Sequence, residues 1–231
     1  MPMLRSTKYL YCIFLFLVMV PLSLPAQKGF EGIVSYEIQL KGENADQLAL
    51  FMPRAYEYKI RSNLIRFRME GGMTAALMGD ILIDTKKGEA YMIKKTEKIA
   101  YRIQEEGESA AKPLIEAADE SLTILGYPCR KYKVTTPGAA GATVQYVWAT
   151  PDIQIEKPQK RNGNIPSGAD QLLIEGLDGF PLKIMTPLPE GGLILIMTAA
   201  QVDLQRIGKS DMEIPKEFDI RDFDPNLFGG Y

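Results

Sequence analysis

Carboxylates are the side chains of this sequence best suited to acid–base chemistry, because it contains no histidine. Without histidine there is no Ser-His-Asp triad, no Cys-His nucleophile and no zinc site of mixed cysteine and histidine ligands. A glycosidase-like mechanism would need two carboxyl groups in one cleft, roughly 5 to 10 Å apart. Glu175 with Asp178, and Asp211 with Glu213, are the candidates, and both pairs are more simply explained as loop or exposed strand residues. The sequence therefore predicts a protein that is not an enzyme, with no catalytic residue, metal or cofactor.

Cysteine is the remaining common nucleophile, and it occurs twice, at Cys12 and Cys129. Cys12 lies inside an apolar run and has no lipid-attachment sequence before it. Cys129 lies in the strand-like stretch YPCRKY, with no histidine to activate its thiol. We therefore interpret Cys129 as a small buried core residue.

The charges argue against nucleic acid as a partner. The chain has 27 basic and 29 acidic residues, a formal net charge of -2, and so lacks the basic excess that phosphate neutralisation requires. Basic residues do cluster on two neighbouring predicted strands, at Arg54, Lys59, Arg61, Arg66 and Arg68. They would suit an anionic headgroup, but strand alternation explains them equally well as the solvated face of a hairpin.

Residues 1–26 have the organisation of a secretory signal peptide. Arg5 and Lys8 precede the unbroken apolar run LYCIFLFLVMV, and the small residue Ala26 marks the predicted cleavage site. A retained membrane anchor would need about 20 apolar residues, which is longer than this run. We therefore predict a signal peptide over 1–26, a single mature domain over 27–231, and a periplasmic or secreted location. Because Cys12 leaves with the peptide, the mature domain is predicted to have no internal disulfide.

Period-two alternation of apolar and polar residues dominates the rest of the sequence. From Phe30 to Lys41 the even-numbered positions are apolar and nearly all the odd-numbered ones polar, which is typical of a half-buried antiparallel strand. The same alternation on both sides of Ser62-Asn63 predicts a hairpin. Strand candidates continue to Arg206, roughly ten or eleven in all. The pattern predicts a mainly β (α+β) fold: a curved antiparallel sheet or half-open β-barrel, covered by short helices.

Two short amphipathic stretches, Asn44 to Met52 and Gly72 to Met78, interrupt the strands and are predicted to be helices. A curved sheet has an apolar inner face, and short helices that cover it loosely would leave a hydrophobic cavity. The flexible thioether of methionine suits such a cavity, although it also fills irregular core. The predicted cavity residues are Leu48, Phe51, Met52, Phe67, Met69, Met73, Leu77 and Met78.

Two further segments depart from the strand pattern. Ala110 to Ala118 is a third, weaker helix candidate. Pro151 to Ala169 has no apolar period and concentrates Pro, Gly, Asn and Lys, which predicts a long loop. Such a loop is either functional or simply an exposed excursion.

Several motifs in one order carry a resemblance to a known family. They are GFEGIVSY from Gly29, IRFRM from Ile65, GDILID ending at Asp84, ILGYPCRKY from Ile124, VWATPDI from Val147 and GFPLKI from Gly179. Together they resemble an uncharacterised domain-of-unknown-function family of Gram-negative envelope proteins, related to GLPGLI-type proteins. The resemblance implies the half-open β-barrel with helical plug of lipoprotein carriers such as LolA, and it brings no catalytic set. The stretch Leu177 to Pro181 departs from the GLPGLI pattern.

Two functions of different classes follow from these observations. The first is a periplasmic, non-enzymatic protein that binds a lipid or lipoprotein acyl chain in a hydrophobic cavity of the half-open barrel. The alternative is an envelope protein–protein interaction module with a packed core and no ligand cavity, which binds its partner through a sheet edge or the 151–169 loop. In either case we expect a monomer, with a lipid, an acylated protein or an envelope protein as partner.

Overall fold

Twelve β-strands form one sheet in the computed structural model, which describes residues 29–103, 112–138, 141–156, 169–188 and 192–224. The strands are β1 (Gly32–Lys41), β2 (Ala55–Arg61), β3 (Leu64–Glu70), β4 (Asp80–Asp84), β5 (Glu89–Lys94), β6 (Ile99–Ile103), β7 (Leu114–Ile124), β8 (Tyr127–Thr136), β9 (Thr143–Thr150), β10 (Phe180–Pro187), β11 (Ile194–Leu204) and β12 (Asp219–Asp222). The helices are α1 (Ala45–Ala49) and α2 (Gly72–Met78), with two 3-10 helices at Ala169–Leu172 and Lys209–Met212. The predicted signal peptide lies outside the described residues.

The strands follow one another across the sheet in the order β12-β6-β5-β4-β3-β2-β1-β11-β10-β9-β8-β7. Neighbours pair antiparallel, except that β12 pairs parallel with β6. The sheet is curved and does not close, so β7 and β12 are its two edges. This confirms the predicted mainly β, half-open architecture.

Side-chain alternation decides which face of each strand is buried. Val34 and Tyr36 of β1 are opposite Tyr58 and Tyr56 of β2 and share the inner face with them. All four side chains are buried, and Tyr36 also donates a hydrogen bond from its hydroxyl to the Pro181 carbonyl, 2.6 Å away on β10. The inner faces of the two halves of the sheet therefore share one core.

The cover over this inner face comes largely from residues outside the two predicted helices. Ile153 after β9, and the run from Leu172 to Leu177 before β10, place buried side chains in the main core. The two predicted helices contribute less, since α1 has no buried residue and α2 contributes Ala75 and Met78, which are only partly buried. The helices are therefore left with apolar side chains that the core does not use.

The outer face carries a second, smaller core under the C-terminal segment. Ile207 and Met212 pack there against Leu82, Ile93 and Ala100 of β4, β5 and β6. The segment is held by the Ile207 amide, which donates to Glu31 Oε1 over 3.0 Å, and it ends by adding β12 to the edge of the sheet. We call residues 207–222 the C-terminal strap, because they lie along the outer face of the half of the sheet that contains β4 to β6.

Two sequence predictions of secondary structure are wrong. The helix candidate Ala110 to Ala118 is strand from Leu114 onward, because β7 pairs with β8 from Leu114 opposite Thr135 to Ile124 opposite Tyr127. Pairing along a whole strand outweighs the weak helix propensity of a short alanine-rich stretch. The sequence pattern also predicts two separate strands, Leu193 to Ala200 and Val202 to Arg206. The structure has the single strand β11 in their place.

Candidate functional site

The two short helices are joined to each other at one end of the sheet. The backbone N–H and the side-chain hydroxyl of Thr74 in α2 both donate to the Phe51 carbonyl, over 3.4 and 2.9 Å. Gly72, the first residue of α2, has φ +70° and lies so close to the Met52 carbonyl that a Cβ there would overlap it. A residue without a side chain is therefore required where the two helical inserts meet.

The two joined segments, α1 with the residues that follow it and α2, expose five large apolar side chains. Leu48 is 42% exposed, Leu50 74%, Phe51 53%, Met73 59% and Leu77 56%. We call these five residues the apolar rim. Single exposed apolar residues are ordinary, but a contiguous group of large ones marks a surface that binds a protein, a membrane or an apolar ligand.

The eight residues predicted for a cavity lie at this end of the sheet in three different environments. Leu48, Phe51, Met73 and Leu77 belong to the apolar rim, and Met52 and Met78 are half-buried beneath it. Phe67 and Met69 are buried in the core, where the Phe67 ring centroid lies 5.0 Å from that of Tyr56 and 4.8 Å from that of Tyr58. Their role in ligand binding stays a prediction. Leu50 belongs to the apolar rim but is not among the eight predicted residues. It lies within the predicted Asn44 to Met52 helix, and only its exposure in the structure distinguishes it from the other residues there.

A cavity of about 410 Å³ opens at the same end of the sheet, on its inner side. We call it the mouth cavity. Its apolar lining includes Val134, Ile174, Leu188 and Leu195. Its polar lining consists of Thr136, Thr143, Gln145, Gln171, Glu175 and Thr186. None of the eight predicted residues is among those that line it, so sequence reasoning missed this site.

The strand register brings the mouth cavity next to the root of α1. Leu195 of the cavity wall pairs with Leu40, one residue before the end of β1. A Cβ on Gly42, between β1 and α1, would lie 3.1 Å from the Leu193 Cα, and the Leu188 amide of the cavity donates to the Leu193 carbonyl over 2.8 Å. The apolar rim and the mouth cavity are therefore neighbouring features of one open end.

Three of the four carboxylates considered from sequence lie close to a lysine. Glu175 Oε1 lies 3.2 Å from the Lys112 Nζ, and Glu213 Oε1 lies 3.3 Å from the Lys209 Nζ. Asp211 Oδ1 lies 3.7 Å from the Lys59 Nζ on the outer face. These contacts favour structural roles for the carboxylates.

The cluster of basic residues on β2 and β3 is part of an ion-pair network on the outer face. Arg66 and Arg68 approach the two oxygens of Asp80 at 3.1 and 3.0 Å, and Lys95 lies 2.8 Å from it. Burial favours the neutral acid, but hydrogen bonds from Arg68 and Lys95 and the positive charges of Arg66 and Arg68 outweigh it and lower the pKa of Asp80 to about 2. Arg66 also donates to the Asp211 carbonyl over 2.7 Å, which fastens the C-terminal strap. A role in stabilising the fold is therefore sufficient to explain the ion-pair network.

Cys129 is buried, as predicted from its sequence context. Its thiol donates to the Tyr127 carbonyl over 3.5 Å, and burial raises its pKa. A thiol with a raised pKa is a poor nucleophile, because the thiolate is the reactive form.

Among the described residues, no helix is both long and apolar enough to cross a membrane.

Residues 30–218 match the family described as "Domain of unknown function (DUF4412)". The chain belongs to this family. The match includes β1 to β11 and ends at Phe218, just before β12. It confirms the resemblance to a domain-of-unknown-function family, while the relation to GLPGLI-type proteins stays a prediction. No curated protein matches the chain.

Solved structures with a similar course of the chain include three of different kinds. PNGF-II has a TM-score of 0.49 and 14% identity over 85% of this chain, which spans only 32% of PNGF-II. An uncharacterized conserved protein from Thermus thermophilus has a TM-score of 0.42 and 8% identity, with 84% of this chain and 91% of that protein covered. A domain that bears the name of an outer membrane lipoprotein-sorting protein, from Vibrio parahaemolyticus, has a TM-score of 0.37 and 8% identity, with 81% and 91% covered.

Proposed function

We propose that this protein is a secreted, non-enzymatic carrier that binds the acyl chain of a lipid or of an acylated protein. The observation that carries the proposal is the apolar rim, five large exposed side chains beside a cavity with a partly apolar wall. An acyl chain is long, narrow and wholly apolar, so it matches a surface that leads from a rim into a cavity. The predicted signal peptide would deliver the protein to the periplasm.

Transfer of an acyl chain from water to an apolar surface would supply useful affinity. Each methylene transferred from water to an apolar surface contributes about 0.8 kcal/mol. About ten methylenes would give roughly 8 kcal/mol, which corresponds to a micromolar Kd before the costs of association are subtracted. Weak to moderate reversible binding is what a carrier needs, since it must also release its ligand.

The chemistry of the chain supports a carrier rather than an enzyme. The sequence contains no histidine, and the candidate carboxylates Glu175, Asp211 and Glu213 each lie within ion-pair distance of a lysine. The thiol of Cys129 is buried. Binding of apolar material requires none of these groups to react.

The first test is direct recovery of a ligand. Organic extracts of the protein purified from a Gram-negative periplasm are expected to contain acyl lipids, as measured by mass spectrometry. Repeated absence of any lipid, together with no rise in the fluorescence of the neutral apolar probe N-phenyl-1-naphthylamine, would overturn the proposal.

The second test assigns binding to the apolar rim. Leu50→Ser and Phe51→Ser are expected to weaken probe binding at least threefold each, because they remove exposed apolar area. Leu204→Ser is the matched control, since Leu204 on β11 is 74% exposed, as Leu50 is, but lies away from the rim. Equal loss in the rim and control variants would mean that the probe binds elsewhere.

A protein–protein interaction module is the second candidate, favoured by the edge strand β7. This strand has 11 residues, most of them exposed, and it carries the exposed leucines Leu114 and Leu122. An open edge can accept an added strand from a partner. An envelope protein that co-purifies with the wild type and is lost from a Leu114→Lys, Leu122→Lys variant would favour this function over the carrier.

A further inference from the structure

We propose that the mouth cavity selects the head of the acyl ligand, accepting an uncharged head with hydroxyl, ester or amide groups and rejecting a phosphate. This inference rests on the proposed carrier function and adds the class of ligand. The acyl chain would lie along the apolar rim while its head enters the cavity, since the two features adjoin at the root of α1.

The polar groups of the mouth cavity are of the kind that recognise neutral heads. The threonine hydroxyls of Thr136, Thr143 and Thr186 and the carboxamides of Gln145 and Gln171 can each donate and accept a hydrogen bond. Gln145 already donates to the Thr186 hydroxyl over 3.0 Å, which orients both groups on the cavity wall. Glycerol hydroxyls and ester or amide carbonyls present the same mixture of donors and acceptors.

The charge of the mouth cavity disfavours a phosphate. Among the described residues that line it, Glu175 is the one charged group, and it is negative. Its counter-ion Lys112, 3.2 Å away, neutralises Glu175 rather than adding positive charge. Phosphate sites use arginine or lysine in direct contact with the ligand, and the described lining contains neither.

Two lysines elsewhere at the open end have partners. Lys94 donates to the Leu77 carbonyl, and Lys95 lies 2.8 Å from Asp80. They belong to the β5 side, whereas the mouth cavity is lined from β8 to β11. Neither lysine is therefore among the residues that line the mouth cavity.

The volume of the cavity agrees with a head rather than a whole lipid. About 410 Å³ is near the lower end of the range for small-molecule sites. It accommodates a glycerol-sized head with the first part of a chain, and the remaining chain must lie outside, on the apolar rim. A single ligand would therefore use both features.

The test compares two ligands that differ only in a phosphate: lauroyl glycerol and lauroyl glycerol 3-phosphate, each below its aggregation concentration. Lauroyl glycerol is expected to displace N-phenyl-1-naphthylamine from the full mature chain at a concentration at least tenfold lower than lauroyl glycerol 3-phosphate requires. Equal or tighter binding of the phosphate would overturn this inference and leave the carrier function standing. Failure of both lipids to displace the probe would overturn the carrier function as well.

Variants of the cavity test whether it is the source of the selectivity. Glu175→Lys is expected to raise the affinity for lauroyl glycerol 3-phosphate relative to that for lauroyl glycerol at least threefold. Glu213→Lys, on the strap, is the matched control and should leave this ratio unchanged. Gln145→Leu is expected to weaken binding of lauroyl glycerol at least threefold without affecting binding of dodecane, which has no head. Gln201→Leu on β11 is the control for this variant. Unchanged selectivity in both cavity variants would overturn the assignment of the head to the mouth cavity.

Discussion

Asp80 shows at the residue scale how charge on the outer face serves folding. Its carboxylate lies within 3.1 Å of Arg66, Arg68 and Lys95, and its pKa is lowered to about 2. Because the pKa is lower in the folded protein than in the unfolded chain, the stabilisation is complete at neutral pH. It is lost as the pH falls from about 4 to about 2, when the folded carboxylate takes up its proton.

Asp80→Asn is therefore expected to lower the free energy of unfolding by about 3 kcal/mol at pH 7, since it leaves the largely buried Arg66 without its counter-charge. Roughly 2 kcal/mol of the difference from the wild type should disappear by pH 2. Urea denaturation of both proteins between pH 7 and pH 2 measures this. Asp178→Asn, at an exposed position, is the control and should show little effect. A difference that does not vary with pH would contradict the role of Asp80.

Phe51 and Phe67 were both predicted to line a ligand cavity, and the structure separates them. Phe67 is fully buried, whereas Phe51 is 53% exposed on the apolar rim. Phe67→Ala is expected to lower the free energy of unfolding by about 3 to 5 kcal/mol, because it leaves a cavity in the aromatic core. Phe51→Ala is expected to cost less than about 1 kcal/mol but to weaken binding of the apolar probe. Thermal unfolding and probe titration of both variants check this, and a stability loss of similar size in the two would contradict the assignment.

The junction of α1 and α2 is the feature that matters most at the scale of elements. Neither helix has a side-chain cap, and neither is long enough to be stable alone. Their position depends on the hydrogen bonds from Thr74 to the Phe51 carbonyl and on the close approach at Gly72. The junction therefore holds together the two segments that carry the apolar rim.

Gly72→Ala is expected to disrupt this junction. A Cβ would overlap the Met52 carbonyl and would also be strained at φ +70°, so we expect probe binding to weaken and stability to fall by more than about 1 kcal/mol. Gly126→Ala is the matched control, because Gly126 has φ +85° but nothing within 4 Å of an added Cβ. It should show the cost of the backbone strain alone and retain binding. Equal effects in the two variants would argue that the contact with Met52 is unimportant.

Elements were predictable from sequence where the local pattern and the tertiary contacts agree. The alternation from Phe30 to Lys41 is β1, and Gly72 to Met78 is α2 with the predicted bounds. β7 and β12 were misjudged or missed, since an exposed strand such as Asp219–Asp222 has no apolar face and is defined only by pairing with β6. A sequence pattern records burial, so an element that buries little leaves little signal.

Export is the property that concerns the whole molecule. In a Gram-negative host we expect the full chain to appear in the periplasm with Gln27 as its first residue, measured by intact mass. Leu15→Arg, which interrupts the apolar run, should keep the protein in the cytoplasm with residues 1–26 attached. A wild-type protein that stays in the membrane fraction at full length would contradict the predicted signal peptide.

The sequence by itself determined most of the strands, the two helices, the absence of histidine chemistry and the apolar character of the residues around α1 and α2. These properties are local, because they depend on the residue types and on their spacing along the chain. Only the tertiary structure decided which of those apolar residues are exposed, because Ile153 and the run from Leu172 to Leu177 fill much of the inner face and leave most of α1 and α2 outside the core. It also decided the mouth cavity, whose walls come from β8 to β11 and from the segment before β10. Residues that far apart in sequence become neighbours only when the sheet curves.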